Sequence, residues 1–245
     1  MTKNNLKNQL KVLTDNFNLE SNKKFKLIIF VGLLGDFDSF EYAINLGKIL
    51  KSGKVDDLDV SFIAIGNEQG KEKFCEYTKF PKENLKIVCD NQFHKLLGVS
   101  QGLETGLGGW INLILMLLGI GSPSTIKEVF RGYTGDKGSS QIYTDKDQIN
   151  LFNIFGFSGR LFENSFGKGY LRPMELATFR LENMIEIFKN WRYYMINTKY
   201  LPQRTCTIIL NQNNEIEYKY FSKDILNYSY NMRSPLNFLS DFLST

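Results

Sequence analysis

Apolar residues follow two rhythms along the first hundred positions. The run "KLIIFV" (26–31) is continuously apolar, which fits a strand buried on both faces of a sheet. After a Gly35-Asp36 turn, Phe40, Ala43, Ile44, Leu46 and Leu50 form one stripe, which predicts a helix ending near Ser52-Gly53. "DVSFIAIGN" predicts a second strand and "EQGKEKFCEYTKF" a helix stopped by Pro81, because proline breaks the hydrogen-bond ladder. "LKIVCD" and "NQFHKLLGV" read as a third strand and a short helix. This β-α-β-α-β-α order implies a parallel sheet with right-handed crossovers. Ahead of it, Leu6, Leu10 and Leu13 predict a helix over Lys3–Asn16, within a helical extension spanning 1–24.

From about 100 to 203 the rhythm changes. An apolar helix at "WINLILMLLGI" is followed by "GIGSPSTIKEVFRGYTGDKGSS", in which "GSPST" is a good helix start. An irregular Gly/Phe-rich patch, "FNIFGFSGRLFENSFGKGY", leads to one long predicted helix, "RPMELATFRLENMIEIFKNWRYYM", with Pro173 in its first turn and Glu175 near its positive end. "TCTIILN" and "IEYKYFS", joined by the polar turn "QNNE", predict a β-hairpin, and a final helix is expected after Ser234-Pro235. Three parallel strands, a late antiparallel hairpin and a terminal helix are the element order of a thioredoxin-like fold. The expected architecture is therefore α/β: a single domain over 1–245 with a central mixed sheet flanked by helices. A large, mostly helical insertion over 100–203 precedes the C-terminal hairpin.

Composition narrows the chemistry. The 30 basic and 26 acidic residues, net +4, are spread along the chain without the Lys/Arg run that tracks phosphates, so no nucleic-acid partner is expected. The Trp110–Ile120 run is about half the ~20 residues of a spanning helix, so no membrane span is expected. The first 25 residues lack the apolar core and cleavage site of a secretory signal, which predicts an intracellular protein. Cys75, Cys89 and Cys206 have no CxxC or CxxH spacing, and His94 is the lone histidine. No metal, cofactor or disulfide framework is expected.

Three stretches carry a resemblance: "LIIFVGLLGDFDSFEYA", "KFCEYTKFPKENLKIVCDNQFHKLLGV" and "QRTCTIILNQNNEIEYKYF". They resemble the peroxiredoxin-like AhpC/TSA family, most closely its cyanobacterial and plastid branch of thioredoxin-like proteins. The resemblance implies a cytoplasmic or plastid-stromal location and antioxidant redox chemistry. In that family the turn after the first strand reads Gly-Cys-x-x-Cys, where the helix N-terminus lowers a cysteine's pKa and the thiolate attacks peroxide or a disulfide. Placed on Gly35, the two cysteine positions fall on Asp36 and Ser39.

A carboxylate there can cap the helix, contributing on the order of 1 kcal/mol. It has no counterpart of the sulfenic-acid-to-disulfide ladder. Asp36, Asp38 and Ser39 are therefore read as N-cap groups, or as acceptors for a ligand or a partner's cation. By the resemblance, Arg204 matches the arginine that steadies the thiolate, and it is expected to pair with Asp36 or Asp38. Cys75 shares a helix face with Phe74 and Thr78 and reads as core, whereas Cys206, beside Arg204, is the better candidate for a relocated reactive thiol. In the insertion, Arg131 and Arg172 stand among Ser122, Ser124, Tyr133, Thr134, Asp136, Glu175 and Arg180, and could help hold an anion at a helix N-terminus. "TGLGGW" follows no predicted strand and lacks the dinucleotide fingerprint.

The expected function is a non-catalytic binding or regulatory module on a peroxiredoxin-like scaffold. Its partner would be an unidentified protein or small molecule, and a homodimer is compatible. The alternatives are an antioxidant thiol oxidoreductase using Cys206 or Cys75 with Arg204, and a non-redox enzyme acting through Asp36, Asp38 and Arg204.

Overall fold

The computed structural model describes residues 9–10, 12–13, 16–17, 22–53, 55–152 and 155–243. Its centre is a five-stranded mixed sheet. The parallel half is β1 (Phe25–Leu33), β2 (Leu58–Ile65) and β3 (Leu85–Val88), joined through helices α1 (Phe37–Lys51) and α2 (Glu68–Thr78). The antiparallel half is β6 (Cys206–Asn211) and β7 (Ile216–Phe221), and the strand order is β3-β2-β1-β6-β7. Central β1 pairs on both edges, Phe30 lying opposite Ile63 and opposite Cys206. Its apolar run is buried from Lys26 to Leu33, as a strand covered on both faces requires. This mixed, helix-flanked α/β sheet is compatible with a thioredoxin-like fold.

Alternation along β1 divides the core. Leu27, Ile29 and Val31 face Phe40, Ala43 and Leu46 of α1 and Phe74 of α2. Ile28 and Phe30 point the other way, into a cluster with Cys206, Ile208, Leu10 and Leu13. The described positions 9–10, 12–13 and 16–17 are helical, as the leucine spacing predicts. The rest of the Lys3–Asn16 helix lies outside the described residues.

Between β3 and β6 stand α3 (Gln92–Leu96), α4 (Gly109–Leu117), α5 (Pro123–Thr134), strands β4 (Gln148–Leu151) and β5 (Phe155–Ser158), then α6 (Arg160–Phe166), α7 (Glu175–Lys189) and α8 (Trp191–Tyr194). Three expectations need correction. The described part of the Gly/Phe-rich patch forms regular elements: β5 pairs antiparallel with β4, and α6 packs Phe162 on Tyr143 and Ile149. The long helix begins only at Glu175, after Met174 in a left-handed φ of 66°, and it is interrupted at Asn190, beyond which α8 is a separate short helix. Instead of a terminal helix there is one 3-10 turn, Asn237–Leu239. Tertiary contact prevails there, since Leu236, Phe238, Leu239, Phe242 and Leu243 all dock onto the core below α1.

Gly70 in α2 faces the chain of α8. A Cβ there would run into the Tyr193 carbonyl oxygen. A helical Gly→Ala change ordinarily stabilises by about 1 kcal/mol. Gly70→Ala should instead destabilise, by roughly 1–3 kcal/mol, because backbone must shift. Urea denaturation of the two proteins checks the sign.

Candidate functional site

The turn from β1 into α1 meets the segment entering β6 at one end of the sheet. Asp36 occupies the N-cap position of α1 in extended conformation (φ −71°, ψ 145°), yet its side chain makes no capping hydrogen bond. Its carboxylate pairs with Arg204 instead, while the Phe37 and Asp38 amides still favour its charged form. Arg204, fully buried, donates from Nη1 to Asp38 Oδ2 (3.0 Å) and from Nη2 to Asp36 Oδ2 (3.3 Å). Its Nε and Nη1 also donate to the carbonyls of Pro202 (2.7 Å) and Asp224 (3.4 Å). The ion pair expected with Asp36 or Asp38 is thus made with both. Ser39 turns inward and donates to the Leu33 carbonyl at 2.8 Å, tying the first turn of α1 to the end of β1.

The corner is tight because it is built on glycines. A Cβ on Gly32 would stand 2.8 Å from the Gln203 carbonyl oxygen and 3.0 Å from Asp36 Oδ2. One on Gly35 would meet Met195 and Tyr194 at 2.8 Å. Above the turn is an apolar cavity of only about 30 Å³, roofed by Trp110, Ile187, Phe188, Trp191 and Met195. That is room for about one water.

One guanidinium faces two carboxyls here, away from water. Burial pushes Asp38 up to about 8, reinforced by the charge of Asp36 and opposed by Arg204. Asp36 is raised too, again by burial first, with Arg204 and the Phe37 and Asp38 amides pulling down. The two acids titrate as a unit: one balances Arg204 and the other keeps its proton at neutral pH. Asp38 Oδ1, Thr205 Oγ1 and His94 Nδ1 are buried without hydrogen-bond partners. His94 is pushed down to about 4 by burial, so it is a neutral ring donating Nε2–H to the Val31 carbonyl (2.7 Å).

The cysteines do not join this corner. Cys206 is fully buried in the cluster on the sheet face opposite α1, and burial raises its thiol to about 12. Cys75 packs in the core against the α1 side, its thiol pushed by burial to about 11. Cys89 is exposed. Arg131 and Arg172 also serve inward. Arg172 and Glu175, both fully buried, form a two-pronged pair (2.7 and 3.1 Å). Arg131 binds Glu128 the same way, at 2.7 to 3.1 Å.

Sequence reasoning passed over Glu41 and Glu128. Arg180 reaches from α7 to Glu41 of α1 at 2.8 Å and to Glu128 of α5 at 3.5 Å. Glu41 is the third residue after Asp38, hence on the same helix face, which was the available signal. Comparison with protein-family models, with curated proteins and with solved structures finds no match to this chain.

The raised acids fix a pH dependence. Between the ordinary carboxylate value of 3.8 and about 8, the folded chain holds a proton on the Asp36–Asp38 pair that the unfolded chain releases. Stability should therefore fall as pH rises through that window, by up to roughly 1 kcal/mol per pH unit from this pair. Asp38→Asn should flatten that part of the profile, read as the difference between the two proteins' urea midpoints from pH 5 to pH 8. Arg204→Met should cost about 3 kcal/mol at pH 8, where two buried carboxyls lose their cation. The cost should shrink at pH 5, where both can be neutral.

Proposed function

We propose that this chain is a peroxiredoxin-like protein of thioredoxin-like fold that has lost its thiol chemistry and works as a non-catalytic binding or regulatory module. The observation that carries the reading is the closed Asp36–Arg204–Asp38 cluster at the turn after the central strand. In the proteins it resembles, that turn carries the reactive cysteine. The strand order supports it, with β1 central, a parallel half on one edge and a hairpin on the other. The position next to Arg204 is filled by a carboxylate, which cannot pass through a sulfenic acid.

The relocated-thiol alternative gains no support from the geometry. A nucleophilic thiolate needs a lowered pKa and access to solvent. Cys206 and Cys75 are buried with raised thiols. An enzyme using the acids and Arg204 would need a substrate space over them, and the cavity there is about 30 Å³ and apolar-lined.

The purified protein should not consume hydrogen peroxide at the expense of dithiothreitol. Neither Cys75 nor Cys206 should yield a dimedone adduct after mild peroxide, as read by mass spectrometry. Peroxide consumption abolished by Cys206→Ser would end the reading. The spatial equivalence has its own test, Asp36→Cys combined with Ser39→Cys. On oxidation this double variant should form an intramolecular disulfide, so that its free-thiol count under denaturing conditions matches the wild type. Two additional free thiols after oxidation would count against the corner as a former CxxC site.

A further inference from the structure

α4 is apolar on every side apart from Asn112. A helix of that kind is normally enclosed on every side, and this one is not. Leu113 and Met116 point inward to Leu33, Ile65, Tyr200 and Leu201. Trp110, Ile111 and Ile114 point outward, 42%, 43% and 51% exposed, with Leu107 before the helix and Leu118 after it at 64% each. The face continues onto α5, whose exposed Ile126 packs over Gly119 at the end of α4, and then to Phe130. At the other edge Trp110 stacks on Trp191 (4.9 Å), which stacks on Phe188 (5.8 Å). These exposed side chains form one contiguous apolar face on packed elements rather than scattered single residues.

Its charges point to what covers it. From Thr105 to Thr134 the charged residues are Lys127, Glu128 and Arg131. Glu128 and Arg131 are paired with each other, which leaves exposed Lys127 as the charge on the rim. Beside the aromatic stack, Lys189, Arg192 and Lys199 are exposed as well. Glu104 is the exposed acid just ahead of the face. A second copy docked face to face would set these cations against one another. An anionic surface would neutralise them.

We propose that this face seats on an anionic lipid bilayer. α4 lies in the plane of the interface, with Leu107, Ile111, Ile114 and Leu118 entering the acyl boundary, about 5–10 Å deep. Trp110 sits at headgroup level, where indole rings are favoured. Lys127, Lys189, Arg192 and Lys199 meet the lipid phosphates. The binding is peripheral: among the described residues no helix is long and apolar enough to cross a membrane. It does not depend on whether the Asp36 corner is redox-inert, and none of its readouts involves a thiol.

The test is co-sedimentation of the full chain with vesicles of phosphatidylcholine, alone or mixed with phosphatidylglycerol. The expected result is binding to the anionic vesicles that weakens as salt is added, with a blue shift of tryptophan emission. Ile111→Asp with Ile114→Asp should reduce binding by about tenfold. Lys127→Glu with Lys189→Glu, which leaves the apolar face and the core untouched, should weaken binding to anionic vesicles while circular dichroism stays unchanged. No binding to anionic vesicles would overturn the proposal, as would binding insensitive to the Ile111/Ile114 pair. A wild type that fails to sediment with vesicles but is dimeric by ultracentrifugation, and monomeric in that variant, would assign the face to a second copy instead.

Discussion

The buried guanidinium of Arg204 sets the terms for the end of the sheet where it lies. It is the cation between Asp36 and Asp38, and it joins the turn leaving β1 to the segment entering β6. Such a group is tolerated away from water only while each of its partners stays in place, since removing one leaves an uncompensated charge. The surroundings follow from that demand. Gly32 lets Asp36 and Gln203 approach, Ser39 is pinned to Leu33, and aromatic rings exclude solvent above. Asp38 then passes the requirement along α1 to Glu41, which needs Arg180, which in turn touches Glu128. A polar seam thus links α1, α7 and α5, elements far apart in sequence.

A carboxylate and a thiolate are alike as anions at a helix N-terminus and unlike as reagents. Sulfur changes oxidation state there, and the reaction needs room for the leaving oxygen and for a reductant's thiol. An acid paired with arginine needs neither, so the space over it can close. Here the cavity over the acids is small and apolar, and Ser39 turns inward to the Leu33 carbonyl.

Much of the sheet was legible in the sequence because its signals are local and strong. The unbroken apolar run of β1, the stripe on α1 and the polar turn between β6 and β7 each carry their own periodicity. The Arg204 pairing with Asp36 and Asp38 was legible through the resemblance, not through spacing. What could not be read was decided by distant contacts. Met174 adopts a left-handed backbone because Glu175 turns back to accept the Arg172 amide, so a pattern that looked continuous from 172 onward begins three residues later. The 152–170 patch read as irregular because β5 and α6 are short and Gly159 and Gly167 flank α6, while the packing of Phe162 with Tyr143 and Ile149 comes from outside it. Cys206 looked placed for chemistry by its nearness to Arg204 in sequence. The two-residue alternation of a strand turns its sulfur to the far face of the sheet.

Glu175 has a further consequence. Its carboxylate accepts the backbone amides of Ile142, Tyr143 and Arg172 as well as the Arg172 guanidinium, and the Asp136–Leu171 bridge lies beside it. A single side chain therefore clasps both ends of the lobe that holds β4, β5 and α6, like a buckle at the neck of a pouch. Opening that clasp exposes five donors at once, so the lobe's amides should exchange with solvent together, as one subglobal unit, while the five-stranded sheet stays shut.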